Sequence, residues 1–263
     1  MLTTQTTSRN CEFTLIKSRL LKFYDTQPAA NQEMGSPITA ITALIGEDLV
    51  LGLLRLYLEE SGQALQHEPQ YKCTSGQKHG PRLDAWLHTQ KGDIFQTEVK
   101  NWCASAIGGV SVSDKRESVI KTKGSGRESY TWFEAAKHNR ERYLNRKDVA
   151  AKVWKVLVPM KPPEQWACKT PAPLLAFWSP VAPTEATSEQ DLKPFFSLET
   201  KAYEAIIEQS GLQLPTKQFP TVWIFSASNY LRALKTKDTI SIHMPRVHSR
   251  LRQLLEVGFP IGI

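Results

Sequence analysis

The segment that most restricts what this chain can become runs from Gly80 to Trp102, GPRLDAWLHTQKGDIFQTEVKNW. Two runs with strand-like composition flank Gln90, Lys91 and Gly92. A three-residue hairpin loop favours glycine at its third, left-handed position, which is where Gly92 falls. That loop fixes the register and sets Asp84 opposite Glu98. Because side chains alternate along a strand, Gln96 and Lys100 share their face. One face of the expected hairpin therefore reads Arg82, Asp84, Trp86, His88, Gln96, Glu98, Lys100 and Trp102. The other reads Leu83, Ala85, Leu87, Thr89, Phe95, Thr97, Val99 and Asn101, mostly apolar and suited to packing under a helix. Carboxylates placed opposite each other repel, and the pairing is destabilising unless something positive lies between them. A divalent cation is the natural candidate.

The elements around the hairpin make an α/β pattern. Residues 1–35 read as a lead-in with a short helix over Glu12–Tyr24, closed by Gly35-Ser36-Pro37. A leucine-rich helix spans Thr39–Glu60, with Gly62 as its stop. Extended runs follow at His67–Cys73, Arg82–Thr89 and Ile94–Trp102, then a glycine-, serine- and lysine-bearing loop over Ala104–Ser129. A helix over Tyr130–Arg146 leads into the apolar run Val153–Val158, read as a strand. The order to this point is αβββαβ. Beyond a proline-marked connection lie an apolar run at Leu174–Trp178, a helix at Leu198–Ser210 and a strand at Thr221–Ser226. A helix from about Asn229, a strand at Thr239–His243 and a helix at Arg246–Val257 complete the chain.

Asp84, followed on the next strand by Glu98-Val99-Lys100, resembles the signature of the PD-(D/E)XK nucleases, the restriction-endonuclease-like superfamily. The match departs from the literal motif in one respect: Pro81 is separated from Asp84 by Arg82 and Leu83. The family pattern also implies an acid on the preceding helix, where Glu47 and Asp48 both stand. On a helical wheel Glu47 shares its side with Ala43, Val50, Leu51, Leu54 and Leu58, whereas Asp48 lies with Gly52, Arg55 and Glu59. Glu47 is thus the expected member. The implied fold is a restriction-endonuclease-like αβββαβ core, a mixed central sheet flanked by helices, over residues 36–160. Residues 161–263 form a C-terminal α/β extension that either stands apart or continues the same domain.

The resemblance implies a divalent-metal-dependent endonuclease acting on DNA, with Glu47, Asp84, Glu98 and Lys100 as its catalytic residues. Asp84, Glu98 and the Val99 carbonyl, with Glu47 through water, would hold Mg²⁺, for which Mn²⁺ can substitute. Lys100 would orient the attacking water and offset transition-state charge. Phosphate contacts are expected from Arg82, from Lys115, Arg116, Lys121, Lys123 and Arg127 in the loop, and from Lys137 and Arg140 on the following helix. Partner proteins of a multi-component system handling foreign or mobile DNA, or a homo-oligomer, are the expected company.

Composition agrees with a polyanionic partner: 33 lysines and arginines stand against 26 aspartates and glutamates, a net charge of +7. The 41% hydrophobic content is ample for a core. Four scattered cysteines show neither a CxxC pair nor a zinc spacing, and are read as reduced thiols of a cytoplasmic protein. Neither a leader-like start nor a membrane-length apolar run is visible. No nucleophile elbow or phosphate-binding loop spacing is found. Two alternatives share the same residues: a non-catalytic nucleic-acid-binding or scaffold protein on this fold, and a ribonuclease with this site.

Overall fold

The computed structural model describes residues 11–21, 36–74, 82–100, 110–112, 118–123, 126–166, 170–212, 219–235 and 238–256. Its strands are β1 (Glu12–Ile16), β2 (Gln70–Thr74), β3 (Arg82–His88), β4 (Ile94–Lys100), β5 (Val110–Val112), β6 (Ser118–Lys123), β7 (Gly126–Thr131), β8 (Ala172–Phe177), β9 (Phe195–Glu199), β10 (Thr221–Ser226) and β11 (Thr239–His243). Its helices are α1 (Ser36–Glu60), α2 (Trp132–Arg140), α3 (Lys147–Val153), α4 (Glu204–Gln209), α5 (Ala227–Ala233) and α6 (Pro245–Glu256).

The architecture is mixed α/β around a six-stranded mixed sheet of order β2-β3-β4-β8-β10-β9. The hairpin has the expected register, with Trp86 opposite Gln96 and His88 opposite Ile94. Gly92 adopts φ 88°, the left-handed conformation that its loop position demands. β4 pairs antiparallel with β3 and parallel with β8, and all seven of its residues are buried. It is a central strand covered on both faces. β8, β10 and β9 extend the sheet that β3 and β4 begin, so residues beyond 161 contribute to the same sheet.

Alternation along the strands divides the core into two layers. On one side α1 lays Leu49, Val50, Leu54 and Leu58 against Ala85, Leu87, Phe95, Val99, Leu174 and Ala176. On the other, Tyr143, Val153, Trp154, Val156, Leu157 and Trp166 cover Trp86, Ile94, Leu175 and Phe177. This second layer begins at α2, whose Thr131 and Glu134 form a reciprocal N-terminal capping box. A π-helical turn at Glu141–Asn145 continues it. β11 lies across α1 where Gly52 permits close approach, since a Cβ there would sit 2.8 Å from the His243 carbonyl oxygen.

Several expectations are corrected. Of the helix expected over Glu12–Tyr24, Glu12–Ile16 is instead a strand paired antiparallel with β11, residues 17–21 are helical, and residues 22–24 lie outside the described residues. The apolar run Val153–Val158 is the end of α3 and a 3-10 turn at Trp154–Leu157; a short, wholly apolar run carries no periodicity that separates strand from helix. The parallel partner of β4 is instead β8. The 104–129 stretch holds β5 and β6 and most of β7, which make a separate three-stranded sheet. The helix read over Leu198–Ser210 is divided between β9, a 3-10 turn at Thr200–Tyr203 and α4. Among the described residues no helix is long and apolar enough to cross a membrane.

Candidate functional site

The regular β3–β4 ladder ends at the Ala85–Thr97 pair, one step short of Asp84 and Glu98. Where β3 leaves the ladder, the Asp84 carboxylate takes its place: Oδ2 accepts the Val99 N–H at 2.7 Å. Residues paired in an antiparallel ladder exchange both N–H and C=O from one edge. The Val99 carbonyl therefore projects from the edge of β4 that faces Asp84. Backbone pairing is thus replaced at this point by a side-chain contact to the strand edge.

Glu98 is 2% exposed, on a central strand, and would be costly to hold charged without partners. Its Oε1 receives two ammonium groups, Lys100 Nζ from the same strand and Lys155 Nζ at 2.7 Å from the 3-10 turn after α3. Its Oε2 is buried with no hydrogen-bond partner among the described residues. Asp84 is partly buried beside it, and its pKa is raised to about 6, first by burial and then by the Glu98 charge. Burial also lowers the proton affinity of Lys100, an effect that the neighbouring carboxylates oppose. Asp84, Glu98 and Lys100, placed together by alternation and turn geometry in the sequence, do converge.

Lys155 is the residue that sequence reasoning missed, and Gln96, placed on the right face, has contacts that the sequence did not disclose. The Gln96 amide, fully buried, donates to the carbonyls of Val156 and Val158, the latter at 2.9 Å, and its Oε1 accepts the Met160 N–H at 3.1 Å. Three bonds from one side chain thus dock the turn carrying Lys155 onto the strand carrying Glu98. Lys155 also donates to the Arg82 carbonyl at 3.3 Å, which bridges β3. The sequence signal for Lys155 is a lysine in an apolar run, Val153–Val158, whose pattern fits strand as well as helix.

Glu47 does not join this group. It is half-exposed and ion-pairs with Arg246 at 3.0 Å, on α6. The acid embedded in apolar surroundings is Asp48, 1% exposed, which accepts the Tyr71 hydroxyl at 3.1 Å and the Val247 N–H at 2.9 Å. Asp48 thereby caps the first turn of α6. The helical wheel failed because Leu49, Val50, Leu51, Leu53 and Leu54 are all buried, so burial runs round the helix and not along one stripe.

The residues expected to meet phosphate are scattered in their fates. Arg82 and Lys137 are exposed, Lys137 over the Phe133 ring. Arg140 donates to the Pro183 carbonyl at 2.5 Å and so tethers α2 to a loop. Lys121, Lys123 and Arg127 belong to β6 and β7, but their side chains lie outside the described residues, as do Lys115, Arg116 and Trp102. The His88 ring packs 5.1 Å from that of Trp166.

The donor set can be tested against a cation. Among the described residues no group of three or more His, Cys, Asp or Glu side chains is placed to hold one. What is present is two neighbouring carboxylates, one with an unpartnered buried oxygen, and a main-chain carbonyl at the same edge. Hard oxygens in that number suit Mg²⁺, which binds through one or two carboxylates and retains water or takes substrate phosphate for the rest. A cation there would satisfy Glu98 Oε2 and relieve the repulsion from Asp84. Comparison of the chain with protein-family models, with curated proteins and with solved structures finds no match.

Proposed function

We propose that this protein is a divalent-metal-dependent nuclease that hydrolyses phosphodiester bonds in DNA, on a restriction-endonuclease-like core. The observation that carries the reading is Glu98: a buried carboxylate with one oxygen held by two lysines and the other unpartnered, adjacent to a second carboxylate of raised pKa. A purely structural ion pair gains nothing from an orphaned oxygen, and burying one costs about 1–3 kcal/mol. Perturbed carboxylates beside buried lysines cluster at sites of chemistry.

Asp84, Glu98 and the Val99 carbonyl would hold Mg²⁺ or Mn²⁺, which when bound polarises the scissile phosphate and acidifies a water. Lys100 acts on the substrate side. Its ammonium, fixed by Glu98 on the same strand, donates to the attacking water and aligns it, and its charge offsets the negative charge that gathers on phosphorus oxygens. Asp84, by accepting the Val99 N–H, ties its carboxylate to the edge of β4 from which the Val99 carbonyl projects. Gln96 keeps the turn that carries Lys155 fixed beside Glu98. The net positive charge of the chain favours a polyanionic substrate.

The test is a plasmid-cleavage assay with Mg²⁺ or Mn²⁺, run beside labelled RNA. Wild type converts supercoiled plasmid to nicked or linear forms, while Asp84→Ala, Glu98→Ala and wild type with chelator do not. Wild type without metal-dependent strand breakage in any of these substrates would sink the reading.

A further inference from the structure

We propose that Lys155 is a displaceable counter-cation of the Asp84–Glu98 pair which, when a divalent ion occupies the site, turns to bind a non-bridging oxygen of the substrate phosphate. This rests on the nuclease reading and adds to it a residue and a coupling between metal and substrate.

Two ammonium groups share Oε1 of Glu98, and their settings differ. Lys100 stands two residues along the same strand with its side chain 9% exposed, so it has little freedom to leave. Lys155 reaches in from the neighbouring layer, its side chain 32% exposed. Among the described residues its other hydrogen bond is to a main-chain carbonyl, that of Arg82 at 3.3 Å. The backbone beneath it is nonetheless fixed, since Gln96 binds Val156, Val158 and Met160. A rigid base with a flexible, half-open ammonium is what a group needs if it is to swing between two anions without moving the fold.

Charge decides which anion it takes. With both carboxylates ionised, Asp84 and Glu98 are balanced by Lys100 and Lys155, and the cluster is neutral. A divalent ion against the same carboxylates adds two positive charges, and the ammonium that can retreat is Lys155. A phosphodiester brings a negative charge to the solvent side, where Lys155 is exposed. Its displaced ammonium then meets the phosphate as a point-charge donor. Lys155 therefore opposes metal binding in free protein and favours substrate once metal is present.

The two effects have opposite signs in one variant, which separates them from a structural role. Calorimetric titration of Mn²⁺ into the DNA-free protein should show Lys155→Gln binding at least about tenfold more tightly than wild type, the change that one adjacent charge makes to proton binding. Lys155→Arg should keep wild-type metal affinity. In cleavage assays Lys155→Gln should raise KM for DNA about tenfold or more, with a smaller change in kcat. Lys155→Met, which keeps the length and packing of the stem, carries the same expectations should the Gln variant melt early. Wild type that binds Mn²⁺ and cleaves DNA, with metal affinity unchanged or weakened in both neutral variants, overturns this inference alone. Wild type that neither binds Mn²⁺ nor cleaves overturns the nuclease reading as well.

Discussion

Asp84→Asn tests the electrostatics of the site without disturbing its shape. The substitution keeps an oxygen to accept the Val99 N–H, now bonded at 2.7 Å, and removes only the titratable charge. In the folded protein the carboxyl is raised from 3.8 to about 6, so the native state binds this proton more tightly than the unfolded chain does. A group of that kind stabilises below its unfolded pKa, and the contribution is lost as pH climbs through the folded value. At about 1.4 kcal/mol for each tenfold change in proton affinity, the loss comes to about 3 kcal/mol, developed between pH 4 and 7. Asn at this position cannot ionise, so its advantage over wild type should grow by about that amount across the same window. For a chain of this size that corresponds to a widening Tm difference of roughly 5–10 °C. Thermal or urea denaturation of both proteins from pH 4 to 8 reads it directly. Saturating Mg²⁺ should stabilise wild type above pH 6 and leave Asp84→Asn nearly unaffected. Stability curves that run parallel from pH 4 to 7 would refute the buried-charge argument.

Further outcomes follow from other contacts. Gln96→Leu strands the main-chain groups of Val156, Val158 and Met160 and should cost about 2–4 kcal/mol in urea denaturation, with KM for DNA raised as the Lys155 turn comes loose. Asp48→Ala should destabilise by about 2–4 kcal/mol, because it removes both a buried hydrogen-bond acceptor and the cap of α6. Glu47→Gln should change stability by no more than about 1 kcal/mol, as expected of a half-exposed ion pair, and leave the cleavage rate unchanged. A collapse of activity in Glu47→Gln would restore that residue to the site. Gly52→Ala forces α1 and β11 apart against the His243 carbonyl and should lower stability by about 1–3 kcal/mol in the same denaturation assay.

The parts of the site that were legible in sequence are those governed by local rules. A turn glycine and strict alternation were enough to bring Asp84, Glu98 and Lys100 together, and β10 and β11 fall on the residues that their composition marked. Contacts made across layers were not legible. Gln96 was one polar residue in an alternating strand, and nothing local says that it clamps a turn some sixty residues on. Lys155 sat in an apolar run whose periodicity is compatible with strand or helix, and the strand reading aimed it nowhere. Glu47 and Asp48 were separated by a wheel that assumes one buried face. α1 is covered by the sheet on one side and by β11 and α6 on others, so the desolvated acid was the neighbour.

Crystals grown or soaked with Mn²⁺ offer the most direct measurement, through an anomalous difference map. The account predicts a peak within bonding distance of the Asp84 carboxylate, Glu98 Oε2 and the Val99 carbonyl oxygen, with Lys155 Nζ withdrawn from Glu98. A map with no peak at that edge of β4, from protein saturated with the ion, would contradict it.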